Sequence, residues 1–304
     1  MLDFSSLQSF LRVAELGSIN RAAASLHTSQ PSLSRHIAQL EHAVGSALFT
    51  RSRSGVKLTE AGETLLARAQ PILDQISRLR EDIGQGASGS VALGFPPSLQ
   101  HLVSAPIVEH LVRSHPGISV QVHEAINNVL RQMMLDGQVD LCIAALDVGG
   151  LEGYSAKALV TEPLLLVGDT DAGLEADRPI ALSRLRHTQL ILPSRPNYVR
   201  MMVEDSLRRA NHPLPRIMGV DTISLCLELT RRGLGYTVMP FAALAGPLGK
   251  GVVWAPIRGL SVTWSLFENE RRSRFGAVRL ARKTALDVVE SLLADGLWPH
   301  ASRQ

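Results

Sequence analysis

Cysteine is scarce in this chain. The two that occur in 304 residues, Cys142 and Cys226, each sit inside an apolar run, "VDLCIAAL" and "SLCLELT". That usage fits inert, buried thiols in a reducing compartment better than a redox pair. Long apolar runs are missing too: nothing approaches the roughly 18 uninterrupted apolar residues that a membrane span requires. The opening "MLDFSSLQSFLRVAELGS" has no basic head, apolar core or cleavage site. No secretory signal is therefore expected, and the cytoplasm is the expected location. Catalytic signatures are absent as well, with no H-E-x-x-H, no zinc-spaced cysteine pair, no G-x-S-x-G and no P-loop. The ten histidines are scattered. No catalytic residue, metal ligand or cofactor is expected. What is present is 45% hydrophobic and 19% charged, which suits a well-buried globular chain of two or three domains.

Charge is sparse but uneven. Residues 21–57 hold Arg21, Arg35, Arg51, Arg53 and Lys57 against Glu41 alone, a local +4 within an overall +3. A basic cluster confined to one short segment reads either as a polyanion-binding surface or as a solvated face.

The motif inside the cluster favours the first. Helical periodicity appears three times before residue 50. Leu7, Phe10, Leu11 and Ala14 mark the first helix, with Ser5 and Gln8 spaced as a capping box. The second opens at Ser18 and carries Ala22, Ala23 and Leu26. The third carries Leu33, Ile37, Leu40 and Val44 on one face. Only "HTS" separates the second from the third, so the spacing predicts a helix-turn-helix over about 19–38. Ser29 is placed to cap the third helix, and Pro31 is tolerated in a first turn whose N–H groups have no intrahelical partner. With the apolar face turned inward, Pro31 and Arg35 point outward and Ser32 and Ser34 flank them. Small residues there let a helix end approach a major groove closely; Gln30 can pair with an adenine edge and Arg35 with a guanine or a phosphate. "LFTRSRSGVKLT" then reads as a hairpin turning at Ser54-Gly55, with Arg51 and Arg53 set for backbone phosphates.

The run "GSINRAAASLHTSQPSLSRHIAQLEHAVGSALFTRSRSGVKLTEAG" resembles the winged helix-turn-helix of LysR-type transcriptional regulators. The matching residues are Ala22-Ala23, Leu26, Ser29-Gln30-Pro31, Ser34, Ile37, Leu40-Glu41, Gly45, Leu48-Phe49, Arg51 and Leu58 to Gly62. Ala43-Val44 departs from the usual acidic residue and leucine. After Thr59, the residues Leu65, Ala69, Ile72, Ile76, Leu79 and Ile83 repeat at 4-3-4-3-4, a coiled-coil seam that calls for a partner helix. The resemblance implies a homodimer through this helix, and a tetramer beyond it. "GQGASGS" reads as a flexible joint.

From Ser90 short apolar strands alternate with helices at 99–113, 127–137, 198–210, 222–232 and 275–294, which predicts a parallel sheet covered by helices. That order, with Glu124, Gly137, Asp140 and "RRGLGYTVMP", resembles the LysR-type effector domain, a two-lobed α/β fold of periplasmic-binding-protein type. The expected division is a winged helix-turn-helix DNA-binding domain at 1–58, a linker and dimerisation helix with its joint at 59–88, and an effector-binding domain at 89–304. Its first lobe would comprise 89–163 with 268–304, and its second 164–267. "GFPPSLQ" and "LPSRPN" most resemble the nitrogen-assimilation-control branch.

In open α/β lobes, ligands gather at strand C-terminal ends beside helix N-termini. Ser98, Asn127, Ser194, Arg195, Asn197 and Thr222 fall at such turns and are the expected effector contacts; capping or turn chemistry explains each equally well. Family members often have a small hydroxyl residue where Asn127 stands. The arginine fork of Arg195 and the helix ends suggest a small anionic metabolite. The expected partners are thus double-stranded promoter DNA, a small-molecule effector, a second copy of the chain and RNA polymerase, without a membrane. Two rival classes remain: a small-molecule-binding protein whose N-terminal module only mediates assembly, and an enzyme on the two-lobed scaffold.

Overall fold

The computed structural model describes residues 4–26, 28–52, 55–69, 72, 89–146, 151 and 153–304. They fall into two compact units, Met1–Ile83 and Gly84–Gln304.

The first unit holds α1 (Phe4–Leu16), α2 (Ile19–Ser25), α3 (Gln30–Val44), the hairpin β1 (Phe49–Ser52) and β2 (Gly55–Leu58), and a helix at 60–69, α4. Since α1 already begins at Phe4, Ser5 lies within its first turn, so the expected Ser5–Gln8 capping box does not form. The other two caps do. Ser18 accepts from the Arg21 N–H, and Ser29 from the Ser32 N–H at 3.3 Å. The apolar faces converge on a core of Phe10, Val13, Ala22, Ala23, Leu33, Ile37, Leu40 and Leu48. Ala22 and Ala23, almost wholly buried, let α2 pack closely on its neighbours. Gly45, at φ +73°, closes α3 in the left-handed conformation that glycine adopts without a steric penalty. The Glu41 carboxylate then accepts the N–H of Leu48 at 2.8 Å and of Phe49 at 3.3 Å, fixing the hairpin against α3. Gly62 is required by space. A Cβ there would stand 2.2 Å from the Leu48 carbonyl oxygen. Of the expected coiled-coil seam, half-buried Leu65, buried Ala69 and exposed Ile72 are described. Ile76, Leu79 and Ile83, together with the joint before Gly89, lie outside the described residues.

The second unit is built on one sheet with strand order β11-β6-β10-β5-β3-β4, and β9 pairs with β6 beyond that path. β3 (Gly89–Phe95), β4 (Ile118–Glu124) and β5 (Leu141–Ala144) are mutually parallel, as the alternating pattern predicts. The sheet as a whole is mixed, because β10 (Val253–Asn269) runs antiparallel to β5 and to β6 (Tyr154–Gly168). These two long strands pass through both halves of the unit. One half carries α5 (Ala105–Ser114), α6 (Asn127–Leu135) and α9 (Gly276–Ala294). The other carries α7 (Tyr198–Arg209), α8 (Ile223–Arg231), β9 (Thr237–Pro240) and the parallel pair β7 (Leu190–Leu192) and β8 (Ile217–Gly219). β10 begins nine residues earlier than the apolar run at Val262 suggests. The ladder accommodates Gly259 in a register shift between Pro256 and Ser261. β11 (Ser302–Arg303) pairs with β6, and Trp298 is buried beside it. Asp140, fully buried, accepts from the Ala92 N–H at 2.8 Å and pairs with Arg272 at 2.8 Å. It ties β3 to the segment before α9.

Candidate functional site

In the first unit, α3 places its opening turn at the surface. Gln30, Pro31 and Arg35 are exposed, and Ser32 and Ser34 are half-buried, while Leu33 and Ile37 turn into the core. Gln30 lies along the helix and donates to the Ser34 hydroxyl at 2.8 Å. A side chain so held is pre-ordered at the tip of a helix whose N–H groups point outward. Arg35 has no partner among the described residues. Arg21 spends a donor on the Leu16 carbonyl at the end of α1, which removes it from the free basic face. The side chain of Arg51, and all of Arg53, lie outside the described residues.

In the second unit, a cavity of about 510 Å³ opens between the two halves. Ser98, in a 3-10 turn after β3, and Asn127, at the start of α6, line it from one side. Asn197 and Thr222, the N-caps of α7 and α8, line it from the other. Each of the last three is also committed locally. Asn127 donates to the Ala145 carbonyl at 2.6 Å, Asn197 accepts from the Arg200 N–H at 3.1 Å, and Thr222 accepts from the Leu225 N–H at 3.3 Å. The capping chemistry and the cavity lining coincide because strand ends and helix starts share the same edge.

Ser194 and Arg195 do not line this cavity. The Ser194 hydroxyl lies against Gly219 instead. Arg195 donates to the buried carboxylate of Glu204, which Arg200 also holds at 2.9 Å. The two guanidinium groups depress the Glu204 pKa against the opposing effect of burial. The ion pair thus holds Arg195 at Glu204 of α7, outside the cavity lining, so the fork expected to meet an effector is engaged elsewhere. The charged residues that do reach the lining are Glu124, Asp221 and Arg131.

Sequence reasoning missed three groups here. Thr237, on β9, lines the cavity and is fully buried; its motif "RRGLGYTVMP" was visible but gave the threonine no role. Trp264 lines it from the central strand β10 and donates to Glu162 on β6 at 2.6 Å. Glu162, itself buried, also accepts from the Ala242 N–H at 3.3 Å, and burial pushes its pKa up to about 7. Nothing in the sequence pairs residues 102 positions apart.

Among the described residues, no helix is long and apolar enough to cross a membrane. Residues 4–63 match the family described as bacterial regulatory helix-turn-helix protein, lysR family, and residues 84–290 match the LysR substrate binding domain. The HTH-type transcriptional regulator BbuR of Bordetella bronchiseptica is 30% identical, with 98% of this chain and 93% of that protein covered. The nitrogen assimilation regulatory protein Nac of Escherichia coli is 28% identical over 87% of this chain and 88% of its own. Among solved structures, full-length CbnR complexed with its target DNA superposes with a TM-score of 0.73 at 22% identity, covering 94% of this chain and 100% of that one. A full-length OxyR from Pseudomonas aeruginosa, carrying one cysteine-to-aspartate substitution, gives 0.65 at 23% identity, with 95% of each chain covered. At such identities these two show a shared fold. The family consists of transcriptional regulators rather than enzymes, and both of its domains are present in this chain. The chain belongs to the LysR family, as a DNA-binding transcriptional regulator with a substrate-binding effector domain.

Proposed function

We propose that α3 reads operator DNA in the major groove through Gln30, Pro31, Ser32, Ser34 and Arg35, while Arg51 and Arg53 bind backbone phosphates. The short-limbed start of α3 carries this reading: Gln30, Pro31 and Arg35 are exposed and Ser32 and Ser34 half-buried, while Leu33 and Ile37 anchor the helix in the core. Sequencing the DNA retained by the full chain tests it, followed by a shift assay on the recovered site. Gln30→Ala relaxes base preference at one position at a cost of about 1–3 kcal/mol. Equal weakening on every sequence would make Gln30 a backbone contact and sink the assignment.

The domain scheme follows: DNA-binding at 1–58, linker at 59–88, effector domain at 89–304. A small molecule held between the halves by Ser98, Asn127, Asn197 and Thr222 biases their closure and so the DNA-bound state. The chain acts in the cytoplasm as a homodimer joined along the helix that follows Thr59, with assembly to a tetramer and contact with RNA polymerase. The apolar 4-3-4-3-4 spacing supports the dimer, and Ile76→Asp disrupts it. A wild-type monomer in sedimentation at micromolar concentration would remove the coiled-coil reading.

A further inference from the structure

Thr237 is fully buried in the wall of the cavity, and its hydroxyl has no hydrogen-bond partner among the described residues. Strand alternation puts it on the same face of β9 as Met239, which packs with Cys226 of α8. Thr230, by contrast, satisfies its hydroxyl on the Cys226 carbonyl at 2.9 Å. Thr237 has no such recourse, since the β9 backbone around it is engaged in the ladder with β6. A buried hydroxyl left unpaired is costly, and one that lines an open cavity can be satisfied by whatever enters.

The electrostatics select what that is. Glu124 and Asp221 bring carboxylates to the cavity from opposite halves, and neither has an ion pair or hydrogen bond among the described residues. Among the described residues, Arg131 is the one formal positive charge in the lining, and it already has a partner. The field of Asp221 reaches inward, since it adds to burial in raising the Cys226 thiol to about 11. The N-termini of α7 and α8, which favour anions, are already capped by Asn197 and Thr222, which leaves the start of α6 as the α-helix end without a side-chain cap in the lining, against two carboxylates. Much of the remaining lining is apolar, with Trp264, Met201 and Met239 among it. Its volume falls within the range of about 300–1,000 Å³ typical of small-molecule sites.

We propose that the cavity takes an apolar-bodied molecule whose inner end is an uncharged or positively charged hydrogen-bonding group seated on the Thr237 hydroxyl, and that Thr237 anchors this end while Asp221 sets its charge preference. The assignment rests on the cavity being the effector site. It reverses the charge expected from Arg195.

Calorimetry on the full chain with three probes that share one body tests it: phenethylamine, 2-phenylacetamide and phenylacetate. The amine and the amide bind at least about tenfold tighter than the acid. Thr237→Val, which removes the hydroxyl and keeps the shape, weakens both by about tenfold, as the loss of one hydrogen bond does. The same change raises the Tm of the ligand-free chain, which shows that the variant folds. Asp221→Asn narrows the gap between amine and acid. Phenylacetate binding as tightly as the amine, or affinities for the amine and the amide untouched by Thr237→Val, overturns the proposal. Ser98→Trp, which puts an indole into the cavity lining, separates the two levels. If phenylacetate binds best and Ser98→Trp abolishes it, the preference is wrong and the cleft is right. If no probe binds, or binding ignores Ser98→Trp, the cleft reading falls with it.

Discussion

Replacing Glu162 by glutamine should change how the stability of the second unit depends on pH. The carboxyl is 0% exposed, and burial lifts its pKa from an ordinary 4.5 to about 7, while hydrogen bonds led by the Trp264 indole pull the other way. A raised acid binds its proton more tightly in the native than in the unfolded chain. Its contribution therefore favours the fold at low pH and is lost as pH rises from the unfolded pKa through the folded one. A tenfold difference in proton affinity between the folded and unfolded chain is worth about 1.4 kcal/mol. The full effect is therefore about 3 kcal/mol, most of which falls between roughly pH 5 and pH 8. Glutamine keeps an oxygen for the indole but does not titrate, and any fixed cost of its amide cancels when the two pH values are compared. The assay is urea unfolding followed by tryptophan emission. All three tryptophans, Trp254, Trp264 and Trp298, lie in this unit, so the signal reports it alone. Relative to the wild type, Glu162→Gln should gain about 2–3 kcal/mol on going from about pH 5 to pH 8. Parallel stability curves for the two proteins would refute the reasoning.

Other substitutions probe other parts of the chain. Gly62→Ala drives a Cβ into the Leu48 carbonyl; it should unfold or reshape the first unit and abolish DNA binding while the tryptophan-monitored transition stays where it is. Asp140→Ala removes the carboxylate from the largely buried Arg272, and urea titration should show a loss of about 3 kcal/mol, the usual cost of breaking a buried pair from one side. Arg51→Ala and Arg53→Ala should weaken binding to every DNA sequence alike and flatten its salt dependence by about one unit of slope per phosphate contact; a change in sequence preference instead would put these arginines on bases.

The amino-acid sequence by itself determined the elements whose causes are local. Ser29 beside Gln30-Pro31 sets the start of α3 within a few residues, Gly45 sets its end, and the spacing of Leu33, Ile37 and Leu40 decides which face is buried. Strands and helices after Ser90 were legible for the same reason: apolar period and turn residues act over one or two turns of chain. Positions such as Ser98, Asn127, Asn197 and Thr222 could be read because a strand end followed by a helix start is itself a local pattern. Tertiary structure decided the rest. Arg195 looked like a ligand fork until α7 set Glu204 beside it. Thr237 looked like an ordinary strand residue until the fold left its hydroxyl buried without a partner. Glu162 acquired its raised pKa from the core that excludes water around it, against the opposing hydrogen bonds of Trp264 and Ala242, far along the chain. Charge and hydrogen-bond state belong to the surroundings of a group, and surroundings are made by long-range packing that no window of sequence contains.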